Sequence, residues 1–402
     1  MFSLVIAITV TTPILGVLAF VAGDMIRPEL CFRATNFTAG TIFNLTDGCP
    51  SHIDSFHASG DTMKKIYLAL ASALIIGGCA AGGGSIAPEK QTGVFGQEKD
   101  KVNVTTAEAF KGKKDVVIGS FKVGFIEYKR ASETAGGGMF SDNAAATTRV
   151  KANLVGVPKS TMQAITDAAY KDFVAQLEAN GYNVLDRSKL TSLDAYKKAT
   201  SATSPTQYDD ITLAMKSDVL YFAPTGQELF FMVGEKSSAF GSLSSGIGFS
   251  NPGMAFQAVA DTDKLAIVTA NYVINFVNTE GYGGSHRSMS SVALDPGLSI
   301  VPGSSVGIIG GYDGTFSKNI GSIALGQPVY TMDEFGSIEE TTTTTESAAS
   351  TFSMVVGGLA GISSTSSGTF AVTADPKAYA SLTEGLLKDA NAQLVSAMAA
   401  NR

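Results

Sequence analysis

Tryptophan is absent from all 402 residues, and cysteine and histidine occur only three times each. Without indole the usual platform for stacking sugars is missing, and tyrosine would have to substitute. The cysteines and histidines are also unevenly placed. Cys31, Cys49, His52 and His57 fall within the first 62 residues, so the rest of the chain holds Cys79 and His286 alone. One thiol excludes an intrachain disulfide or a thiolate metal cage in that part, and one imidazole excludes a multi-histidine metal site. The fold must therefore rest on apolar burial, and the chain is long enough for one large or two medium cores. Basic residues are outnumbered, 29 Lys+Arg against 36 Asp+Glu, and form no block. A chain of net charge −7 built this way has no electrostatic footprint for nucleic acid.

Catalytic motifs are scarce too. No Gly-x-x-x-x-Gly-Lys-Ser/Thr loop occurs, and Gly246-Ile247-Gly248-Phe249 is too isolated from a strand-to-helix junction for a dinucleotide site. Gly303-Ser304-Ser305-Val306-Gly307 has the spacing of a nucleophile elbow, but no histidine follows Ser305 and the sequence after it reads as β structure. The carboxylate pairs Asp209/Asp210, Asp261/Asp263 and Glu339/Glu340 lie in polar stretches that read as solvated loops. Asp261-Thr262-Asp263 lacks the spacing and glycine of a calcium loop. His286 sits in a Gly/Ser turn, and Asp186-Arg187, at a strand end, reads as an ion pair or helix cap. A binding or assembly component is expected rather than an enzyme, with no cofactor and no metal.

What is present is a run from Met63 to Cys79. Lys64 and Lys65 form a basic head, Ile66 to Ile76 an uncharged apolar stretch, and Gly77-Gly78 lead into Cys79. The apolar run is too short to cross ~30 Å of hydrocarbon as a helix but suits an export signal. The ending resembles the lipobox of bacterial lipoproteins, with Ile76-Gly77-Gly78-Cys79 in its four positions. That resemblance implies cleavage between Gly78 and Cys79, diacylglycerol on the Cys79 sulfur and acylation of the new amino terminus. Ala80, rather than aspartate, follows the cysteine, which by the same resemblance implies an outer-membrane lipoprotein facing the periplasm.

This signal begins at residue 63. Ahead of it lies a second apolar run, Phe2 to Gly23, interrupted by Pro13 and preceded by no Lys or Arg. Either Met63 is the natural start and residues 1–62 are a misassigned extension, or residues 1–62 carry a true membrane anchor. The lysines directly after Met63 favour the first.

The chain is thus expected to divide into residues 1–62, a signal peptide at 63–78, a lipid anchor and flexible tether at 79–114, and an α/β domain at 115–402 with β-rich insertions at about 226–350. Asp115 to Tyr128 reads as a long strand with one buried face, Ala131 to Thr148 as a mobile loop, and Arg149 to Val157 as a short strand. Met162, Ile165, Ala169, Phe173 and Leu177 predict an amphipathic helix over Ser160–Asn180, capped by Ser160 or Thr161. Tyr182–Arg187, Asp218–Phe222, Leu265–Val277, Met289–Val301 and Val306–Tyr312 follow as strands. Ser237–Asn251 and Glu339–Ser350 read as exposed excursions. Asp375-Pro376 starts a closing helix that buries Tyr379, Leu382, Leu386, Ala390 and Leu394 or Val395. The fold class is α/β (or α+β), a mixed sheet flanked by two amphipathic helices, with Gly/Ser-rich β excursions in the carboxy-terminal half.

This order, with Val116–Phe121 and Phe173–Leu177 running into Gly181-Tyr182-Asn183-Val184-Leu185-Asp186-Arg187-Ser188-Lys189-Leu190, resembles the periplasmic domain of the curli secretion-component (CsgG-like) lipoproteins. That family is related to the amino-terminal domain of the Tol-system β-propeller protein. The resemblance implies a non-enzymatic role in assembly, secretion or transport across the outer membrane. Its partners would be membrane lipid through acylated Cys79, other envelope proteins and further copies of the chain. The segments Phe240–Phe256 and Val306–Tyr330 would be candidate barrel hairpins. A surface-exposed adhesin or ligand-binding lipoprotein is the alternative.

Overall fold

The structure is a computed structural model. It describes residues 86–93, 96–136, 145–199, 201–210, 217–232, 252–263, 265–285, 287, 289–311, 319–342, 355–359 and 364–402, and three strand backbones nearer the amino terminus. The chain falls into two compact units, Met1–Gly83 and Gly84–Arg402. In the first, β1 (Ala7–Ile8), β2 (Leu30–Phe37) and β3 (Gly40–Asp47) form a three-stranded antiparallel sheet in the order β1-β3-β2.

The second unit is a mixed α/β structure. Its fourteen-stranded sheet is built from β4 (Val102–Thr105), β5 (Asp115–Ala135), β6 (Ala146–Val155), β7 (Asn183–Val184), β8 (Thr206–Asp210), β9 (Ser217–Phe222), β10 (Ala266–Tyr282), β11 (Met289–Ile300), β12 (Ser305–Ile309), β13 (Ile320–Leu325), β14 (Val329–Tyr330), β15 (Gly336–Glu340), β16 (Val355–Leu359) and β17 (Ser364–Ala374). Among the described residues the helices are α1 (Lys159–Ala179), α2 (Ser188–Thr191), α3 (Asp194–Lys197), α4 (Pro252–Asp263) and α5 (Pro376–Ala400), with a 3₁₀ turn at Ala107–Phe110. Among the described residues no helix is long and apolar enough to cross a membrane.

Two long parallel strands organise the sheet. β5 pairs with β10 from Val116 to Phe125. Past that point the two separate, and β5 pairs with β6 from Tyr128 to Ala135 while β10 pairs with β11 from Ile274 to Tyr282. Because β9 holds the other edge of β5 at Tyr128 and Lys129, β6 takes the place that β10 has left. The sheet thus divides into two plies, β5-β6-β17-β15 and β10-β11-β16.

The single buried face expected for β5 is corrected by this arrangement. Val116 to Ile126 are buried on both faces, not one. Val116, Ile118 and Phe121 join the larger core with α1 and α5, whereas Val117 joins a second core with Ile267, Tyr196, Phe230 and Phe256. A central strand covered on both sides needs no polar alternation. The expected mobile loop at Ala131–Thr148 is corrected as well. Residues 131–135 continue β5 and 146–148 begin β6; only 137–144 lie outside the described residues.

The two long helices match their periodicity. Met162, Ile165, Ala169, Phe173 and Leu177 of α1 are buried, as are Tyr379, Leu386, Ala390, Leu394 and Val395 of α5, with Thr383 where Leu382 was expected. Each fully buried leucine or phenylalanine contributes about 1.5–3 kcal/mol. Asp375 caps α5 through Lys377 N and Ala378 N, and Pro376 follows. α1 begins instead at Pro158, with no side-chain cap from Ser160 or Thr161. It ends where Gly181, at φ 82°, turns the chain.

Four other expectations change. Pro252–Asp263 is helical, so Phe240–Phe256 is no hairpin as a whole; residues 240–251 lie outside the described residues. Val306–Tyr330 does contain a hairpin, β12–β13, but its strands of five and six residues belong to the main sheet, shorter than the ~9–11 a membrane strand requires. Glu339/Glu340 and Asp209/Asp210 lie in β15 and β8, and Asp261/Asp263 in α4, none of them in loops. Finally, ordered chain starts well before Asp115: β4 pairs with β13 and Phe110 of the 3₁₀ turn is fully buried.

Candidate functional site

The most developed polar arrangement lies where the segment after Cys79 meets the divided sheet. Asn278 of β10 and Asp295 of β11 are cross-strand partners. Their side chains close on one peptide unit: Ile86 N donates to Asp295 Oδ2 at 2.8 Å, and Asn278 Nδ2 donates to Ile86 O at 2.8 Å. Asn278 is buried, so its amide requires a partner, and the strap supplies it. A Cβ on Gly297 would collide with the Asn278 amide, which explains glycine there. Further along, the Gln327 side chain acts as a surrogate peptide group. It accepts from Gln91 N at 2.9 Å and donates to Gln91 O at 2.9 Å and Lys99 O at 2.8 Å. The strap, residues 86–93 and 96–99, is thereby sewn to β10, β11 and the turn after β13.

Between the plies the interior is narrow and lined by small side chains. Ala131, Ala135, Ala146, Thr148 and Ala152 face in from one ply, Ser290, Val292 and Leu294 from the other. Thr148 Oγ1 lies 2.9 Å from Ser290 Oγ and 3.2 Å from Ser366 Oγ, and donates to Ser290 O at 3.1 Å, so one hydroxyl cluster joins β6, β11 and β17. Deeper in, Lys129 Nζ donates to Val277 O at 2.9 Å and Asn275 Oδ1 at 3.1 Å. Both acceptors are neutral, and burial pulls the ammonium pKa down to about 8. At the open edge Ile86, Glu89, Glu133, Thr279 and Glu280 line a cavity of about 540 Å³. Among the described residues no group of carboxylates, cysteines or histidines is arranged to hold a metal.

Asp186 and Arg187 do what their position at a strand end suggested. Asp186 Oδ1 accepts from Ser188 N at 2.7 Å, and that interaction with Ser188 holds the carboxyl below its usual range. Arg187 pairs with Glu228 at 2.8 Å and donates to Tyr196 Oη at 2.6 Å, Gln227 Oε1 at 3.0 Å and Ile118 O at 3.3 Å. Tyr196 Oη donates in turn to Glu228 at 2.6 Å, while its ring stacks on Phe256. Burial alone would push the Glu228 carboxyl up, but the hydrogen bonds from Tyr196 and Arg187 outweigh it and leave the group below its ordinary value. Burial first, then the Glu228 hydrogen bond, push the Tyr196 phenol up. This saturated network caps the second core.

Gly78 and Cys79, with Cys49, His52, His57 and His286, lie outside the described residues, and only backbone is described at Cys31. Ser305 opens β12, a strand rather than an elbow. The clamp residues Asn278 and Asp295, the surrogate peptide Gln327 and the half-buried Lys129 escaped the sequence reading. One signal was visible: Asn275 and Asn278 stand in a largely apolar strand, β10, and a buried polar residue there needs a dedicated partner. Comparison with family models, with curated proteins and with solved structures gives no match.

Proposed function

We propose that the protein is a lipid-anchored component of the bacterial envelope, acting without catalysis in assembly, secretion or transport across the outer membrane. The observation that carries this reading is the order basic head, apolar core, Gly77-Gly78 and Cys79. Acyl chains on Cys79 would hold the chain to the membrane, since one chain binds only marginally and several bind firmly. The clamp on Ile86 gives such an anchor a mechanical purpose. Six residues separate Cys79 from Ile86, a reach of at most ~25 Å, so the sheet is carried close to the lipid rather than on a long leash. In this reading α1 and α5 flank the sheet as two supporting helices, and the β-rich stretch at about 226–350 meets envelope partners.

Mass spectrometry of the protein purified from membranes tests the reading. The expected amino-terminal peptide begins at Cys79 and carries acyl mass. A peptide from residues 1–62, or an unmodified Cys79 in an uncleaved chain, contradicts it.

A second reading, a surface-exposed adhesin or ligand-binding lipoprotein, is favoured by the outer face of the β5-β6-β17 ply. Ser132, Thr134, Thr147, Ser367 and Thr369 line that face beside the exposed cations Arg130 and Arg149. Protease treatment of intact cells separates the two: an adhesin is cut at its surface loops, a periplasm-facing component survives.

A further inference from the structure

We propose that the tip of the β10–β11 hairpin, formed by Tyr282, Arg287 and Met289, is a contact surface for the membrane interface. The inference rests on the reading of Cys79 as the lipid-bearing residue. Tyr282 and Met289 are 48% and 43% exposed, large side chains left in solvent at one end of an otherwise well-buried pair of strands. Arg287 Cζ sits 3.8 Å from the centre of the Tyr282 ring. An aromatic body carrying a polar tip, a stacked guanidinium and a thioether suit the headgroup layer. There the ring and the methionine meet acyl chains, while the guanidinium meets phosphate.

What directs lipid to this surface is the strap. Asn278, Glu280 and Tyr282 alternate onto the same outer face of β10, and Asn278 is the residue that clamps Ile86. From Asn278 to Tyr282 is four residues of strand, ~13 Å, whereas the chain from Ile86 back to Cys79 spans up to ~25 Å. The anchor therefore leaves the fold on the face that bears the tip, with chain enough to reach beyond it. Glu280 and Asp295 lie on the strap side; at the tip the Glu133 carboxylate lies against Gly281 and Gly283, and Arg287 supplies the cation.

The absence of tryptophan makes the test direct. Tyr282→Trp and, as a control on the distant edge strand β4, Val104→Trp each give a protein with a single indole. The full acylated chain is reconstituted into vesicles of phosphatidylethanolamine and phosphatidylglycerol, with and without brominated phosphatidylcholine. The expected result is a blue-shifted emission for Tyr282→Trp that brominated lipid quenches, and an unshifted, unquenched emission for Val104→Trp. A protein that floats with the vesicles while Tyr282→Trp stays unquenched overturns this inference and leaves the anchor standing. A blue shift without quenching, in a protein that native mass spectrometry finds dimeric, assigns the tip to a second copy and overturns it equally. A protein that carries no acyl mass and does not float removes the anchor, and the tip proposal falls with it.

Discussion

Lys129 is held between the plies by two neutral acceptors, and this gives the protein a definite pH dependence. Its pKa in the fold is about 8 against an ordinary 10.5. Between those values the unfolded chain keeps a proton that the folded chain has released, so stability rises with pH across the window. The gain is about 1.4 kcal/mol per pH unit, on the order of 3 kcal/mol in all. The buried phenols of Tyr196, Tyr272 and Tyr379 are pushed upward by desolvation, so above pH 10 the unfolded chain ionises first and stability falls again. Thermal unfolding is expected to rise in midpoint from pH 7.5 to 9.5, and Lys129→Met to abolish the rise; a rise that survives the substitution excludes Lys129 as its source. At Arg187 the geometry rather than the charge matters. Arg187→Met should cost about 2–3 kcal/mol in urea unfolding, because Glu228, Tyr196 and the Ile118 carbonyl lose a shared donor. Arg187→Lys should recover less than half, since an ammonium cannot present the fork. The Arg187 role was legible from its place at a strand end. Lys129 was not, because the predicted strand stopped one residue short of it.

At the scale of elements, the long helices were the readable part. Their 3.6-residue pattern faces one continuous core, and the Asp375-Pro376 start is a local signal independent of tertiary context. Asp375→Ala is expected to lower stability by about 1 kcal/mol through loss of the carboxylate that accepts from two backbone N–H groups, measured by chemical unfolding. The strands beyond Tyr128 misled for a physical reason. Where β5 and β6 face the other ply, their buried positions include Ala131, Ala135, Ala146 and Thr148, and small residues of that kind are the composition that marks a loop. The strap was hidden too, since its order comes from side chains nearly 200 or more residues away. Replacing Asp295 and Gln327 together by leucine should release it, since these side chains accept from Ile86 N and Gln91 N. Hydrogen exchange at Ile86 and Gln91 is expected to accelerate while exchange in β5 and β10 stays slow; unchanged exchange at Ile86 shows that the clamp does not hold the strap.

For the molecule as a whole, sequence and fold bear on one another at the strap. The sequence argues for a lipid on Cys79, and the fold fastens the chain seven residues later to the strands that organise the sheet. On the proposed reading, a mildly acidic protein without a basic block would need such an anchor to stay on an anionic surface. Fold class was legible from the alternation of strands and helices, whereas the division of the sheet into plies was not, because it depends on which strand replaces another beside β5. The most direct test of the central claim is membrane fractionation of cells expressing the parent chain or Cys79→Ala after labelling with palmitate. The account predicts that the parent is labelled and sediments with outer membrane, and that Cys79→Ala is unlabelled and either soluble or an uncleaved precursor. A Cys79→Ala protein that is cleaved and partitions with outer membrane as the parent does would contradict it.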